Sequence, residues 1–191
     1  MRLSQWRSLV FLRRRIWMKP LQGRSLDRYP KALWQNFKSS TTQDLRNAMT
    51  ELDLTDRSVY TTWTQDIVRY RDLDPNGHVN NGAINQYFED GRVHLRDDRM
   101  VGLAENLLRG FAIKKFTATY HAPVSYPATV DIGSVVMRIG NSSFALGQGV
   151  FDGDRCVATA DVISVFFDAD TGRSTPLPDP VRKALESARI S

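Results

Sequence analysis

Two carboxylates, an imidazole and three carboxamides fall within ten residues, Asp72-Leu73-Asp74-Pro75-Asn76-Gly77-His78-Val79-Asn80-Asn81. A carboxylate in such a cluster can deprotonate a water molecule or attack a carbonyl carbon itself. If the segment ends by opening a helix, the first turn points unpaired N–H groups outward and carries partial positive charge. Donors of that kind polarise a carbonyl and stabilise the oxyanion formed on attack. The ingredients of acyl transfer are therefore present. The plain alternative is a turn that ends a strand and caps a helix, because Asp and Asn commonly do both. That alternative is the better reading for any one of these residues alone. The combination, leading into Tyr87-Phe88-Glu89, favours chemistry.

The flanking pattern supplies elements to hold such a loop. From Val59, VYTTWTQDIVRYRD is rich in β-branched and aromatic residues and reads as a strand. It stops at Asp74-Pro75-Asn76-Gly77, a strong turn signal. Asn81 to Met100 then reads as a helix: Ile84, Tyr87, Phe88 and Leu95, with small Gly91 between, make one buried stripe. Glu89, Asp90, Arg92, Arg96, Asp97 and Asp98 are expected on the other side. Four strand-like segments follow, GFAIKKFTATYHA, ATVDIGSVVMRIG, SSFALGQGVFD and CVATADVISVFFDA. Gly140-Asn141-Ser142, Asp152-Gly153-Asp154 and Asp170-Thr171-Gly172 punctuate them. A tail with Pro176, Pro178 and Pro180 precedes a short terminal helix. Strand, long helix, then four strands is an α+β order, with the helix against an antiparallel sheet.

Other chemistries are weakly supported. His78, His94, His121 and Cys156 are scattered without metal-ligand spacing, so no metal is expected. His94 and His121 read as surface or capping residues. A G-x-S-x-G elbow is absent, which argues against a serine hydrolase. Gly147-Gln148-Gly149 lacks the third glycine and the strand-to-helix context of a dinucleotide loop. Glu89 stands three before Arg92 and reads as half of an exposed helix pair. Lys114 and Lys115 could meet phosphates, but read as a solvated strand edge.

The 191 residues suffice for one domain and an appendage, and 41% apolar residues can build a core. The net charge of +5 is unevenly spread. Residues 1–48 hold eleven Lys/Arg against Asp27 and Asp44, which leaves 49–191 mildly acidic. A nucleic-acid partner would need the positive charge on a folded face, so none is expected. No apolar run is long enough to cross a bilayer. Residues 1–48 can be read as a transit-type leader, as a basic helix lying on a membrane surface, or as an upstream extension with Met49 as the functional start. The abrupt change of composition at MTELDLTD favours the last. Residues 49–191 are then the folded domain. The single Cys156 fits a reducing compartment, so a cytoplasmic location is expected, with organelle targeting by the basic leader as the alternative.

Residues 72–81 followed by Tyr87-Phe88-Glu89 and Arg92 form a D-x-D-x-x-G-H-V-N-N loop leading into Y-F-E-x-x-R. In this the chain resembles the acyl-CoA thioesterases of the hot-dog superfamily, in particular the 4-hydroxybenzoyl-CoA thioesterase-like branch. YHAPV (120–124), GNSSF (140–144) and TGRSTPL (171–177) add support, so the similarity spans roughly 57–188. It implies a hot-dog domain whose sheet wraps the helix from Asn81, and a homodimer or tetramer with sites at the subunit interface. It implies hydrolysis of an acyl-CoA, with an acyl carrier protein thioester as the alternative substrate and no cofactor beyond the CoA of the substrate. Asp74 is implied as base or nucleophile, and the Asn81 N–H as the carbonyl activator. Plant-type acyl carrier protein thioesterases look similar too, and their D-x-N-x-H string matches Asp74, Asn76 and His78. By that likeness Asn76 and His78 position the carboxylate and water. Those enzymes' downstream glutamate has no clear counterpart in 120–127. Ile84 where the family often has Tyr, and Pro127 where Gly is usual, bear on acyl preference. A hot-dog dehydratase or hydratase and a non-catalytic acyl-CoA-binding protein are the competing readings.

Overall fold

The computed structural model describes residues 52–108, 110–168 and 171–190. The expectations for residues 1–48 lie outside the described residues. The chain forms β1 (Thr62–Ile67), a 3-10 turn at Tyr70–Asp72, α1 (Asn81–Arg99), a short α2 (Glu105–Leu108), β2 (Phe111–Tyr120), β3 (Thr129–Ile139), β4 (Ser143–Asp152), β5 (Arg155–Phe166) and α3 (Asp179–Glu186). The strand expected from Val59 is thus shorter than its composition suggests. Its last residues turn instead, and the Asp72 side chain accepts the Arg69 N–H to cap that turn.

All strand pairs are antiparallel, in the order β1-β3-β4-β5-β2. A long helix laid across such a sheet is the α+β hot-dog arrangement. Ile84, Tyr87, Phe88, Gly91 and Leu95 are the buried face of α1, as the spacing predicts. They meet Ile132, Val136, Leu146 and Val150 from the sheet. The helix approaches closely at Gly91, where an added Cβ would stand 2.6 Å from Ile132 Cγ2. Arg92 departs from the expected solvent side. Only 12% of its side chain is exposed, and it donates to the fully buried Gln148 at 2.9 Å. Gln148 in turn donates to the Phe88 carbonyl and to Ser134 Oγ, both at 3.0 Å. A polar residue can occupy this core position because its amide is hydrogen-bonded throughout.

The far side of the sheet is covered as well, so β4 is buried almost from end to end. Gly133 and Gly149 leave room for the Tyr60 ring, and Gly147 for Leu54. Tyr60 stacks edgewise on Trp63 and Phe151. At the other margin β3 runs past the start of β1, and its free Val136 N–H is taken by the Ala188 carbonyl at 2.9 Å. The C-terminal segment after α3 thereby closes that edge. Among the described residues β2 is an edge strand paired only with β5, with Ile113 and Tyr120 exposed. Among the described residues no helix is long and apolar enough to cross a membrane.

Candidate active site

The loop between the 3-10 turn and α1 is organised by its own side chains. Asp74 Oδ1 accepts the Asn76 N–H at 2.8 Å and the His78 N–H at 3.2 Å, and Oδ2 accepts from Asn76 Nδ2 at 3.3 Å. The Asp74 N–H returns a bond to the His78 carbonyl at 2.7 Å. Gly77 sits at φ +79°, a left-handed conformation that glycine takes without steric cost. The His78 backbone N–H foremost, with the backbone and side-chain amides of Asn76, holds the Asp74 carboxyl below the ordinary aspartate value. Partial desolvation opposes this without reversing it. The side chain is half-buried and ionised at neutral pH.

The loop is fastened to the helix start through Asp72. Its carbonyl accepts both the Asn80 N–H at 2.8 Å and Asn80 Nδ2 at 2.6 Å, while its carboxylate accepts Tyr87 O–H at 3.0 Å. Asn80 is the N-cap, its Oδ1 accepting the Ala83 N–H at 2.9 Å. Asn81 is therefore the first residue of α1, is exposed, and has an N–H with no carbonyl four residues back to bond. Asp74, Asn76 and His78 come together directly, and the bonds from Asn80 to the Asp72 carbonyl tie this loop to the start of α1, of which Asn81 is the first residue.

Within this group the roles are unequal. Asn76 reaches the carboxylate with both main chain and side chain. His78 reaches it through its main chain, and its exposed imidazole makes no hydrogen bond among the described residues. Two partners escaped the sequence reading. Tyr87 was assigned to the apolar stripe, and only the fold shows its hydroxyl on Asp72. Burial, then the Asp72 hydrogen bond, keeps that phenol protonated. Asn85 was not singled out, yet it accepts the Tyr120 hydroxyl from β2 at 3.0 Å. The neighbouring helix face forms an open groove of about 300 Å³, lined by Gly82, Asn85, Glu89, Arg92, Ile113 and Phe116. A second cavity of about 180 Å³ continues from Glu89 and Arg92 toward Leu95, Phe111 and Leu185. Asp74 lines neither. Glu89 pairs with Arg92, as its spacing suggests. His121 Nε2 meets Thr159 Oγ1 at 3.0 Å, away from the loop. Among the described residues no group of three His, Cys, Asp or Glu could hold a metal ion.

A family model described as the thioesterase-like superfamily matches residues 68–185, which include the whole loop, helix α1 and strands β2 to β5. The chain belongs to that superfamily. Among solved structures, this thioesterase-like chain is similar to a protein from Pseudomonas aeruginosa, with 27% identity and a TM-score of 0.63, over 71% of this chain and 96% of the other. It is also similar to a thioesterase from Thermus thermophilus that was solved with coenzyme A and Zn. There the identity is 26% and the TM-score 0.59, over 68% of this chain and 95% of that one. No curated protein sequence matches the chain.

Proposed function

We propose that this member of the thioesterase-like superfamily hydrolyses acyl-CoA thioesters, with Asp74 as the reacting carboxylate. The observation that carries this reading is an ionised carboxylate oriented by three amide donors, in a loop that Asp72 and Asn80 tie to the first turn of a long helix. Water adds to the thioester carbonyl, the C–S bond breaks, and the products are a carboxylic acid and a free thiol. Asp74 takes the water proton or attacks the carbonyl to give an anhydride that water then opens. Either role needs the ionised form, which the loop favours. The Asn81 N–H stabilises the oxyanion, Asn76 orients the carboxylate, and His78 shapes the loop and faces the incoming water. The substrate assignment is supported by the coenzyme A held by the Thermus thermophilus relative.

The same reading includes a homodimer. Asp74 stands at a surface, apart from both cavities, and the open β2 edge with its exposed Ile113 borders the groove along α1. A second copy paired on that edge would enclose the groove and remove water from it, which strengthens the electrostatics of catalysis. The test is thiol release from a panel of acyl-CoAs by the full chain. The Asp74→Asn variant should stay folded, with a somewhat lowered melting temperature from the weakened loop bonds, and lose about 10²- to 10⁴-fold in kcat. Undiminished turnover by that variant removes Asp74 from the mechanism. Rapid-quench single turnover distinguishes the two roles: an acyl group trapped on Asp74 after thiol release marks nucleophilic attack, whereas thiol and acid appearing together with no acylated chain mark the base role.

A further inference from the structure

Beside the Asp74 loop lies a patch that the proposed chemistry does not use. Tyr70, 77% exposed, and Tyr126, 49% exposed, stand edge to face with ring centroids 5.9 Å apart. Ile67, 59% exposed, ends β1 three residues before Tyr70. The two tyrosines come from segments far apart in the chain, and the fold joins them deliberately. The Val68 N–H donates to the Ala128 carbonyl at 2.9 Å, and the Val79 N–H to the Val124 carbonyl at 2.8 Å. A further bridge pairs His78 with Ser125, the residue before Tyr126. The patch is thus built on the backbone of the same loop that carries Asp74. Two of the flanking cations differ. Arg69 is tied to Asp66 through both guanidinium ends, whereas Arg71 is exposed and makes no hydrogen bond or ion pair among the described residues.

We propose that Tyr70, Tyr126 and Arg71 seat the adenine nucleotide end of a coenzyme A thioester, the purine stacking on the tyrosine pair and a phosphate pairing with Arg71. This rests on the acyl-CoA reading above and deepens it, since it selects CoA over a carrier protein. Exposed aromatic faces, with the guanidinium of the residue after Tyr70 unpaired among the described residues, suit a planar base that carries phosphate: stacking tolerates an open platform, and the cation supplies the complementary charge. An acyl chain needs an enclosed apolar cavity, which this surface is not. Three side chains also fall far short of the area that a stable protein partner would bury.

The experiment compares an acyl-CoA with the same acyl group on N-acetylcysteamine, which has the thioester but no nucleotide. In Tyr70→Ala/Tyr126→Ala, KM for the CoA thioester should rise about tenfold, the loss of roughly one stacking contact, with kcat unchanged. KM for the short thioester should not move, and Tyr70→Phe/Tyr126→Phe should restore the wild-type KM. Arg71→Ala should abolish discrimination between CoA and 3′-dephospho-CoA thioesters. Equal changes for long and short thioesters, or none for either, overturn the proposal while leaving the hydrolase reading standing. Calorimetry with CoA itself covers the other case: tyrosine-dependent binding without turnover of any thioester keeps this inference and removes the hydrolase reading. Tyrosine-dependent sedimentation with anionic phospholipid vesicles, with KM for acyl-CoA unaffected, assigns the patch to a membrane surface and overturns it.

Discussion

The Asp74 carboxylate is shaped by donors that stabilise its charge more than by burial that would raise its basicity. Its folded pKa is lowered by the amides of His78 and Asn76, so ionisation is complete across the neutral range. The contribution of these bonds to stability is present above the unfolded aspartate pKa and is lost as pH falls through the lower folded value. For catalysis, a lowered pKa places the acid limb of kcat/KM below the ordinary aspartate range. The profile should therefore stay flat between neutrality and about pH 5 as far as Asp74 is concerned. Asn76→Ala removes the side-chain donor but keeps the main-chain one, and should move that limb upward. A wild-type profile that already falls by half above about pH 5 would assign the limiting ionisation to another group. The D-x-D-x-x-G-H-V-N-N string made Asp74, Asn76, His78 and Asn81 legible in the sequence. Which atom of each is used was not legible: His78 contributes its peptide N–H to Asp74, a group that every residue but proline possesses.

At the scale of elements, helix α1 was the most readable part of the chain because its apolar spacing is long and regular. Its seat on the sheet was not. Gly91 faces Ile132 and Gln148 with no room for a methyl group, and Arg92 turns inward to Gln148 although its place on the wheel is beside the polar face. The two effects of Gly91→Ala oppose each other. Helix propensity favours alanine by about 1 kcal/mol, whereas forcing a Cβ into a packed interface costs about 1–3 kcal/mol. Ile132 is β-branched and set in a central strand, so it cannot swing aside. Gly91→Ala should thus lower unfolding free energy by about 1 kcal/mol or more in urea titration. A stabilised variant would show that the helix can lift without penalty. The same packing explains the short first strand: β-branched composition runs on past Ile67, but Asp72 accepts the Arg69 N–H and the Tyr87 hydroxyl, and these bonds favour the turn.

At the scale of the described fold, the sheet is covered on one face by α1 and on the other by the segment around Leu54 and Tyr60, and the part of β3 that runs beyond β1 is met by the C-terminal residues. Among the described residues the β2 margin carries exposed Ile113 and Tyr120 alongside an unpaired strand edge. An edge of this kind invites pairing with another chain. Under the proposed dimer, Ile113→Glu should shift the protein from dimer to monomer in sedimentation equilibrium and reduce thioester turnover in parallel, while the monomer keeps its secondary structure. A wild-type chain that sediments as a monomer at micromolar concentration would remove the second copy from the site.

The sequence by itself determined the α+β order, the long amphipathic helix, the turn residues and the loop in which two carboxylates precede a helix start. These are local properties, written in periodicity and in the conformational preferences of Gly, Asn, Asp and Pro within a few residues of one another. Only the tertiary structure decided the strand order β1-β3-β4-β5-β2, the buried Gln148 beneath α1, the glycine cradle for Tyr60, and the meeting of Tyr70 with Tyr126. Each of those depends on segments distant in the chain. Their pairing is chosen by the shared burial of apolar faces and the satisfaction of buried polar groups, and no short window of residues contains that choice.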